Sequence, residues 1–233
     1  YNYFTSSFKN LTQTTTIMSF IRRIDWFKSI PFLLIHLLAF GVFFFPFEWK
    51  WVALCVGSYY LRMFAITAGY HRYFSHRSYE MGRIPQFFMA FLGTTAIQKG
   101  VLWWAANHRH HHRFSDQPAD IHSPVQSGFW WAHVGWILAP DYEETRWDQI
   151  RDLAKFPELR WLNRYHVIPP LVYGTLIFMT WGWAGFFWGM MLSSVLLWHG
   201  TFTINSLSHV FGSQRYATTD ASRNNLWLAL ITL

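Results

Sequence analysis

Four apolar stretches constrain this chain more than any other feature. They cover 30–47, 51–68, 166–183 and 184–204. Each is about 18–21 residues, which at ~1.5 Å per residue spans ~27–31 Å, the depth of a bilayer's hydrocarbon core. A short turn with Glu48 and Lys50 joins the first two, and Trp181-Gly182-Trp183-Ala184-Gly185 breaks the last two. Pro31, Pro46, Pro169 and Pro170 lie near the ends, where helices tolerate proline best. This pattern predicts an all-α membrane protein with four transmembrane helices in two hairpins. A fifth run over 84–97 is shorter, is interrupted by Gly93, Thr94 and Thr95, and reads as an interfacial or partly buried helix.

Composition agrees. Charged residues are 13% of the chain against about 25% in soluble domains, and aromatics are 21%. Fifteen tryptophans suit a membrane interface. Cys55 stands alone, so an internal disulfide and a cysteine-ligated zinc module are both excluded. The net charge of +7 comes from dispersed basic residues, which fits anionic lipid or an anionic substrate better than nucleic acid. Nearly all basic residues precede the first stretch, follow the fourth, or lie between the second and third; Lys50 is opposite and Arg62 is inside the second. The positive-inside rule then places both termini and the long middle segment in the cytoplasm, with Arg62 facing the bundle interior or a polar partner. Residues 1–17 are polar and aperiodic, a disordered tail or read-through without the order of a secretory signal.

Twelve histidines accompany only twelve acidic residues. His71 and His76 form H-x4-H directly after the second stretch. His108, His111 and His112 form H-x2-H-H; at 100° per residue they fall near about 0°, −60° and +40°, one helix face, whereas His110 points away. Asn205 and His209 are i,i+4 neighbours after the fourth stretch. Imidazole suits Fe, Zn, Cu and Ni, and six convergent histidines exceed what one zinc takes, so an iron pair is expected. The Glu-x-x-His pairs of carboxylate di-iron bundles are missing from the sequence, and so is His-Glu-x-x-His, which argues against a zinc hydrolase. His36, His122, His133, His166 and His199 are expected to serve structural hydrogen bonds.

At these residues the sequence resembles the membrane fatty acyl desaturases, in particular the Δ9, stearoyl-CoA desaturase-like branch of bacterial type. The carrying segments are Ile-Thr-Ala-Gly-Tyr-His-Arg-Tyr-Phe-Ser-His-Arg-Ser-Tyr at 66–79, Trp-Ala-Ala-Asn-His-Arg-His-His-His-Arg-Phe-Ser-Asp at 104–116, His-Val-Gly-Trp at 133–136 and Asn-Ser-Leu-Ser-His at 205–209. The order and spacing agree from about residue 26 onward. The resemblance implies a four-span bundle with a cytoplasmic helical cap holding a histidine-ligated di-iron site, within one desaturase domain over 18–233. His71, His76, His108, His111, His112 and His209 match metal ligands, and Asn205 matches an asparagine that reaches iron through water. Gln98, Trp104 and Thr201 match the substrate-binding residues that bend the acyl chain in its tunnel. Asp116 and Asp120 are candidates for orienting imidazoles. The family's third box, Gly-Glu-Gly-x-His-x-x-His-His, would follow Leu233, so the domain is expected to be incomplete at its C-terminus and this polypeptide alone to bind iron poorly. Animal acyl-CoA members carry Arg-Arg before the glycine matching Gly128 and an arginine where Ala106 stands. Here Gln126 and Ser127 replace the pair, so an acyl-CoA, an acyl phospholipid and another thioester all stay open.

The implied reaction uses two iron ions and O2 to place a cis double bond, at Δ9, in a saturated acyl chain. No flavin or nicotinamide fingerprint occurs in the sequence, so electrons are expected from a separate protein of ferredoxin or cytochrome b5 type. Asp141, Glu143 and Glu144 are candidates for its docking surface. The alternatives are a membrane di-iron hydroxylase of alkanes, sterols or lipids and, less favoured, a histidine-rich membrane metal carrier.

Overall fold

In a computed structural model of the chain, residues 24–217 and 220–233 are described; the expected tail at 1–17 lies outside them. Among the described residues the fold is helical, and its sole sheet-like pairing is an isolated bridge between Ser213 and Asn224. Helix α1, Ile30–Ala39, starts with Pro31 in its first turn, tightens into a 3₁₀ segment, Phe40–Phe44, and ends in extended backbone at Phe45. Helix α2, Trp49–Phe64, passes without interruption into a π-helical stretch, Ala65–Ser75. Helices α3, Arg83–Thr94, and α4, Val101–Phe114, follow, then short turns and α5, Pro157–Arg164. Helix α6, Ile168–Phe186, continues through a π-helical turn, Phe187–Leu192, into α7, Ser193–Ser206, and a 3₁₀ end, Leu207–His209. Helix α8 is Leu226–Thr232.

The last long helical run folds back on itself. Gly182 has φ 64° and ψ −162°, a region essentially reserved for glycine. A Cβ on Gly189 would lie 3.3 Å from Ile177, and one on Gly174 would lie 3.4 Å from Phe186. Residues twelve apart along a straight helix are ~18 Å apart, so the chain must reverse at Gly182. The turn expected over 181–185 is therefore a hairpin. Two stretches, Trp49–Ser75 and Ile168–His209, are long and apolar enough to cross a membrane, whereas Ile30–Phe44 is shorter. The arms are thus unequal rather than four similar spans. Their outer faces are apolar: Leu37, Phe43, Phe44, Leu171 and Met179 are exposed.

The core that positions the site lies between α2, α4 and α7. Met63, Tyr70, Phe74, Leu102, Leu197 and Trp198 are buried there. Helix α4 begins at Gly100, where a Cβ would meet Asn163 at 2.5 Å. That closeness lets the Asn163 side-chain oxygen accept from the Trp103 backbone N–H at 2.8 Å, so a residue of α5 caps the helix bearing the second histidine motif. Helix α3 buries Gln86, Ala90 and Thr94 and leaves Ile84 and Phe88 outward.

Two glycines give opposite expectations. Nothing lies within 4 Å of a Cβ at Gly182, so Gly182→Ala carries only backbone strain and should lower stability by about 1–3 kcal/mol. Gly57 is helical with equally open surroundings, so Gly57→Ala should raise it by about 0.5–1 kcal/mol. Unfolding followed by circular dichroism in detergent would show both signs.

Candidate metal centre

The first histidine pair owes its geometry to the π-helical stretch. In an α-helix, residues five apart diverge by about 140°. Here the His76 backbone N–H donates to the His71 carbonyl at 3.1 Å, an i→i+5 bond that brings the two side chains to one side. Their rings are 4.6 Å apart, centroid to centroid. The α-helical α4 then presents His108 and His112 to them: His71 and His108 are 4.7 Å apart, and His76 and His112 4.5 Å. His110 turns away toward the Ala119 carbonyl and Arg146.

Arg109, between those histidines, locks the two motifs together. Its guanidinium donates to the Phe74 carbonyl at 2.7 Å and the Ser75 carbonyl at 3.1 Å, closing the end of the π-helical stretch. It also pairs with Asp152 at 2.7 Å, where Arg77 adds a second ion pair. Burial acts against a charged Asp152, yet the bonds from Arg109 and Arg77 outweigh it and hold the carboxyl below its usual range. The sequence reading missed this residue; a basic side chain among ligand histidines was the available signal.

Ring nitrogens of His71, His76, His108 and His112 lie within 4.8 Å of one another. His108 Nε2 is 3.0 Å from His76 Nε2 and 2.9 Å from His112 Nε2. Neutral imidazoles serve such a three-way meeting poorly, since Nε2 carries either one hydrogen or one lone pair. A shared cation suits it, because ligands ~2.1 Å from a metal at right angles are ~3.0 Å apart. Burial, reinforced by His71, His112, His111 and His76, pushes His108 well below the ordinary imidazole value. Desolvation, with His111 and His76 close by, pushes His112 down to about 4. Both rings are thus held in the neutral form that binds metal.

Two more imidazoles are aimed by carboxylates. His111 Nδ1 donates to both Asp120 oxygens, at 2.9 and 3.0 Å, and His209 Nδ1 donates to Asp116 at 2.9 Å. Each leaves Nε2 for a metal, the usual arrangement of oriented ligand histidines. Asp116 also accepts from Ser123 Oγ at 2.5 Å and the Ala221 N–H at 2.7 Å; Asp120 accepts from the Asp116 and His122 N–H groups. Asn205, one turn before His209 on α7, is half-buried, and its carboxamide has no partner among the described residues. His122 is 3% exposed, its ring lies tilted against His111 with centroids 4.2 Å apart, and no partner among the described residues meets its Nδ1. His111, Asp120 and His122 form a second group with ligand geometry, so His122 stands closer to the centre than its expected structural role suggested.

The substrate candidates also meet. Gln98 Nε2 donates to Thr201 Oγ1 at 2.8 Å, and Trp104 Nε1 donates to Gln98 Oε1 at 3.2 Å. Trp104 stacks on His108 with centroids 4.7 Å apart. His36, His199 and His133 join one another instead of the centre: His36 Nε2 meets His199 Nε2 at 3.1 Å, and His199 Nδ1 meets His133 Nε2 at 3.0 Å. Glu143 pairs with Lys28 rather than standing free for a partner protein.

Residues 49–233 match the model of the fatty acid desaturase family. This chain belongs to that family. It is 34% identical over 216 residues to an sn-2 palmitoyl-lipid 9-desaturase of Nostoc sp. (strain 36), covering 90% of this chain and 75% of that relative. It is 32% identical to an icosanoyl-CoA 5-desaturase of Limnanthes douglasii, over 87% of this chain and 58% of the relative. A probable acyl-CoA desaturase of Schizosaccharomyces pombe (strain 972 / ATCC 24843) is 32% identical over 95% of this chain and 48% of its own length. The chain thus spans between about half and three quarters of these relatives.

Three outcomes follow for this desaturase family member. Asp120→Asn should weaken metal binding about 10–100-fold, because the carboxylate no longer fixes the His111 tautomer; metal analysis after dialysis against a graded chelator reads this. Arg109→Leu should cost about 2–3 kcal/mol by leaving Asp152 short of its main partner in a site about four-fifths buried. The pH sign is set by the depressed imidazoles. Neutral ligands persist below the ordinary value of 6.5, so cobalt binding should hold at pH 6 and fall away as pH drops toward about 4. Loss already at pH 6.5 would contradict that environment.

Proposed function

We propose that this protein is an integral membrane desaturase that places a cis double bond, at Δ9, in a saturated fatty acyl chain. The observation that carries this reading is the convergence of His71, His76, His108 and His112, with His111 and His209 aimed beside them, next to the Gln98–Thr201–Trp104 network. The cofactor would be a pair of iron ions to which these six histidines contribute ligands, with Asn205 placed to reach one through water. When bound and reduced, the pair supplies the site at which dioxygen is activated. In balance, –CH2–CH2– with O2, two electrons and two protons gives –CH=CH– and two waters. A separate carrier protein of ferredoxin or cytochrome b5 type delivers the electrons.

An alkyl chain has no polar handle, so selectivity rests on the shape and placement of the tunnel. Gln98, Thr201 and Trp104 supply that shape: their hydrogen bonds satisfy each other's polar atoms, so an otherwise apolar wall can bend beside the histidines without an unpaired group. The flanking aromatic side chains exclude water from the reacting carbons. The two hairpins cross the membrane, with the histidines on the cytoplasmic side.

Relatives named for acyl-lipid and for acyl-CoA substrates both occur. In the segment where animal acyl-CoA members carry two arginines, the exposed Gln126 donates from Nε2 to the Asp116 carbonyl at 2.8 Å. No basic pair faces outward there to hold a CoA phosphate, which favours a lipid-borne acyl chain. Expression in a host lacking its own desaturase, followed by gas chromatography of the fatty acids, should reveal new cis-Δ9 alkenes. Alcohols without alkenes would instead identify a hydroxylase. Metal uptake with unchanged lipids would identify a carrier.

A further inference from the structure

Arg62 is fully buried in the second helix of an apolar bundle, and no carboxylate among the described residues pairs with it. A cation at such depth is costly and persists only where its donors are needed. Its Nε donates to the Ser58 carbonyl at 3.2 Å, Nη1 to Ser194 Oγ at 2.7 Å and the Thr95 carbonyl at 3.3 Å, and Nη2 to Ser193 Oγ at 2.5 Å. The Tyr173 ring lies 5.1 Å from the guanidinium carbon. One side chain therefore ties α2, α6 and α7 to the turn that follows α3.

That turn is strained. Ile97 has φ 58° and Lys99 φ 60°, a left-handed conformation that bulky residues rarely adopt. Such backbone endures only where its surroundings over-determine it. Here three carbonyls are held: Thr95 by Arg62, Ala96 by Trp198 Nε1 at 2.8 Å, and Lys99 by the Tyr70 hydroxyl at 3.3 Å. Between the two strained residues sits Gln98, whose carboxamide bonds Thr201 and Trp104.

We propose that Arg62 is a positioning residue that sets where along the acyl chain the double bond forms, by holding the Thr95–Lys99 turn and hence the Gln98 carboxamide at the bend of the tunnel. This rests on the desaturase reading above. Only a guanidinium fork reaches two hydroxyls and two carbonyls at once; the point charge of lysine does not. A looser turn lets Gln98 drift from Thr201, and the chain then lies deeper or shallower against the histidines.

The test is the distribution of double-bond positions in cells expressing the full-length protein, read by mass spectrometry of derivatised fatty acids. Arg62→Met and Arg62→Lys should each raise the share of neighbouring positional isomers about tenfold. Iron per chain should stay unchanged, because Arg62 is more than two helical turns from His71. Trp198→Phe removes the clamp on Ala96 without touching a charge, and it should shift the isomers likewise even if the Arg62 variants fail to accumulate. Alkenes with an unaltered isomer pattern in Trp198→Phe and in any Arg62 variant that accumulates would overturn the proposal alone. A wild-type protein that yields no alkene would overturn the desaturase reading and this proposal with it.

Discussion

Everything around the candidate metal centre depends on how the π-helical stretch Ala65–Ser75 is ended. A π-helix opens a wider ring than an α-helix and survives only where outside contacts favour it. Arg109 supplies those contacts by donating to the Phe74 and Ser75 carbonyls, and Asp152 holds Arg109 in place from the other side. The same guanidinium sits between His108 and His110, so the force that closes one motif also fixes the rotation of the helix bearing the other. Two helices that each carry half a site are set in register by one ion pair.

Local patterns made much of this architecture legible. Hairpin arms follow from apolar runs, and the face shared by His108, His111 and His112 follows from the helical period. Three features were not legible, each because it is non-local. The period of an α-helix would send His71 and His76 apart, and nothing within H-x4-H announces a change to i→i+5 bonding. Arg109 looks like any basic residue until the end of another helix is brought to it. The unequal lengths of the hairpin arms depend on where Gly182 reverses the chain and where Phe40–Phe44 tightens, which hydropathy averages over.

Polar groups inside the bundle obey a single rule. With no water beside them, most must find a partner in protein, Trp188 Nε1 being a buried exception among the described residues. Arg62 does so with carbonyls and hydroxyls, and Ser58 does so with the Gly189 carbonyl and Tyr173. Both networks cross between helices that would otherwise meet only through apolar contact. Apolar side chains gain little by choosing one another over lipid, so these few polar contacts fix which helices are neighbours and at what rotation.

The histidine seam shows how strict that rule is. The Phe32 carbonyl can only accept, so the 2.8 Å contact puts a hydrogen on His36 Nδ1 and leaves Nε2 bare. His199 must then donate from Nε2, which leaves its Nδ1 to accept from His133 Nε2. His133 Nδ1 meets Ser206 Oγ at 2.9 Å, while that hydroxyl also lies 2.9 Å from the Phe202 carbonyl. With all three rings neutral, the single serine hydrogen can serve only one of these two acceptors. Burial holds His133 below the ordinary imidazole value, so the ring stays neutral and the hydroxyl must choose. The hydroxyl donates to the Phe202 carbonyl, one turn back on α7, which leaves the His133 Nδ1 contact without a hydrogen. One backbone carbonyl on the first helix thus dictates the tautomer of three histidines far apart in sequence. A residue in the seam that could not carry its assigned hydrogen would leave a ring nitrogen unpaired there, while Phe32 on Trp198 and Ala39 against Met190 still hold α1 to the bundle.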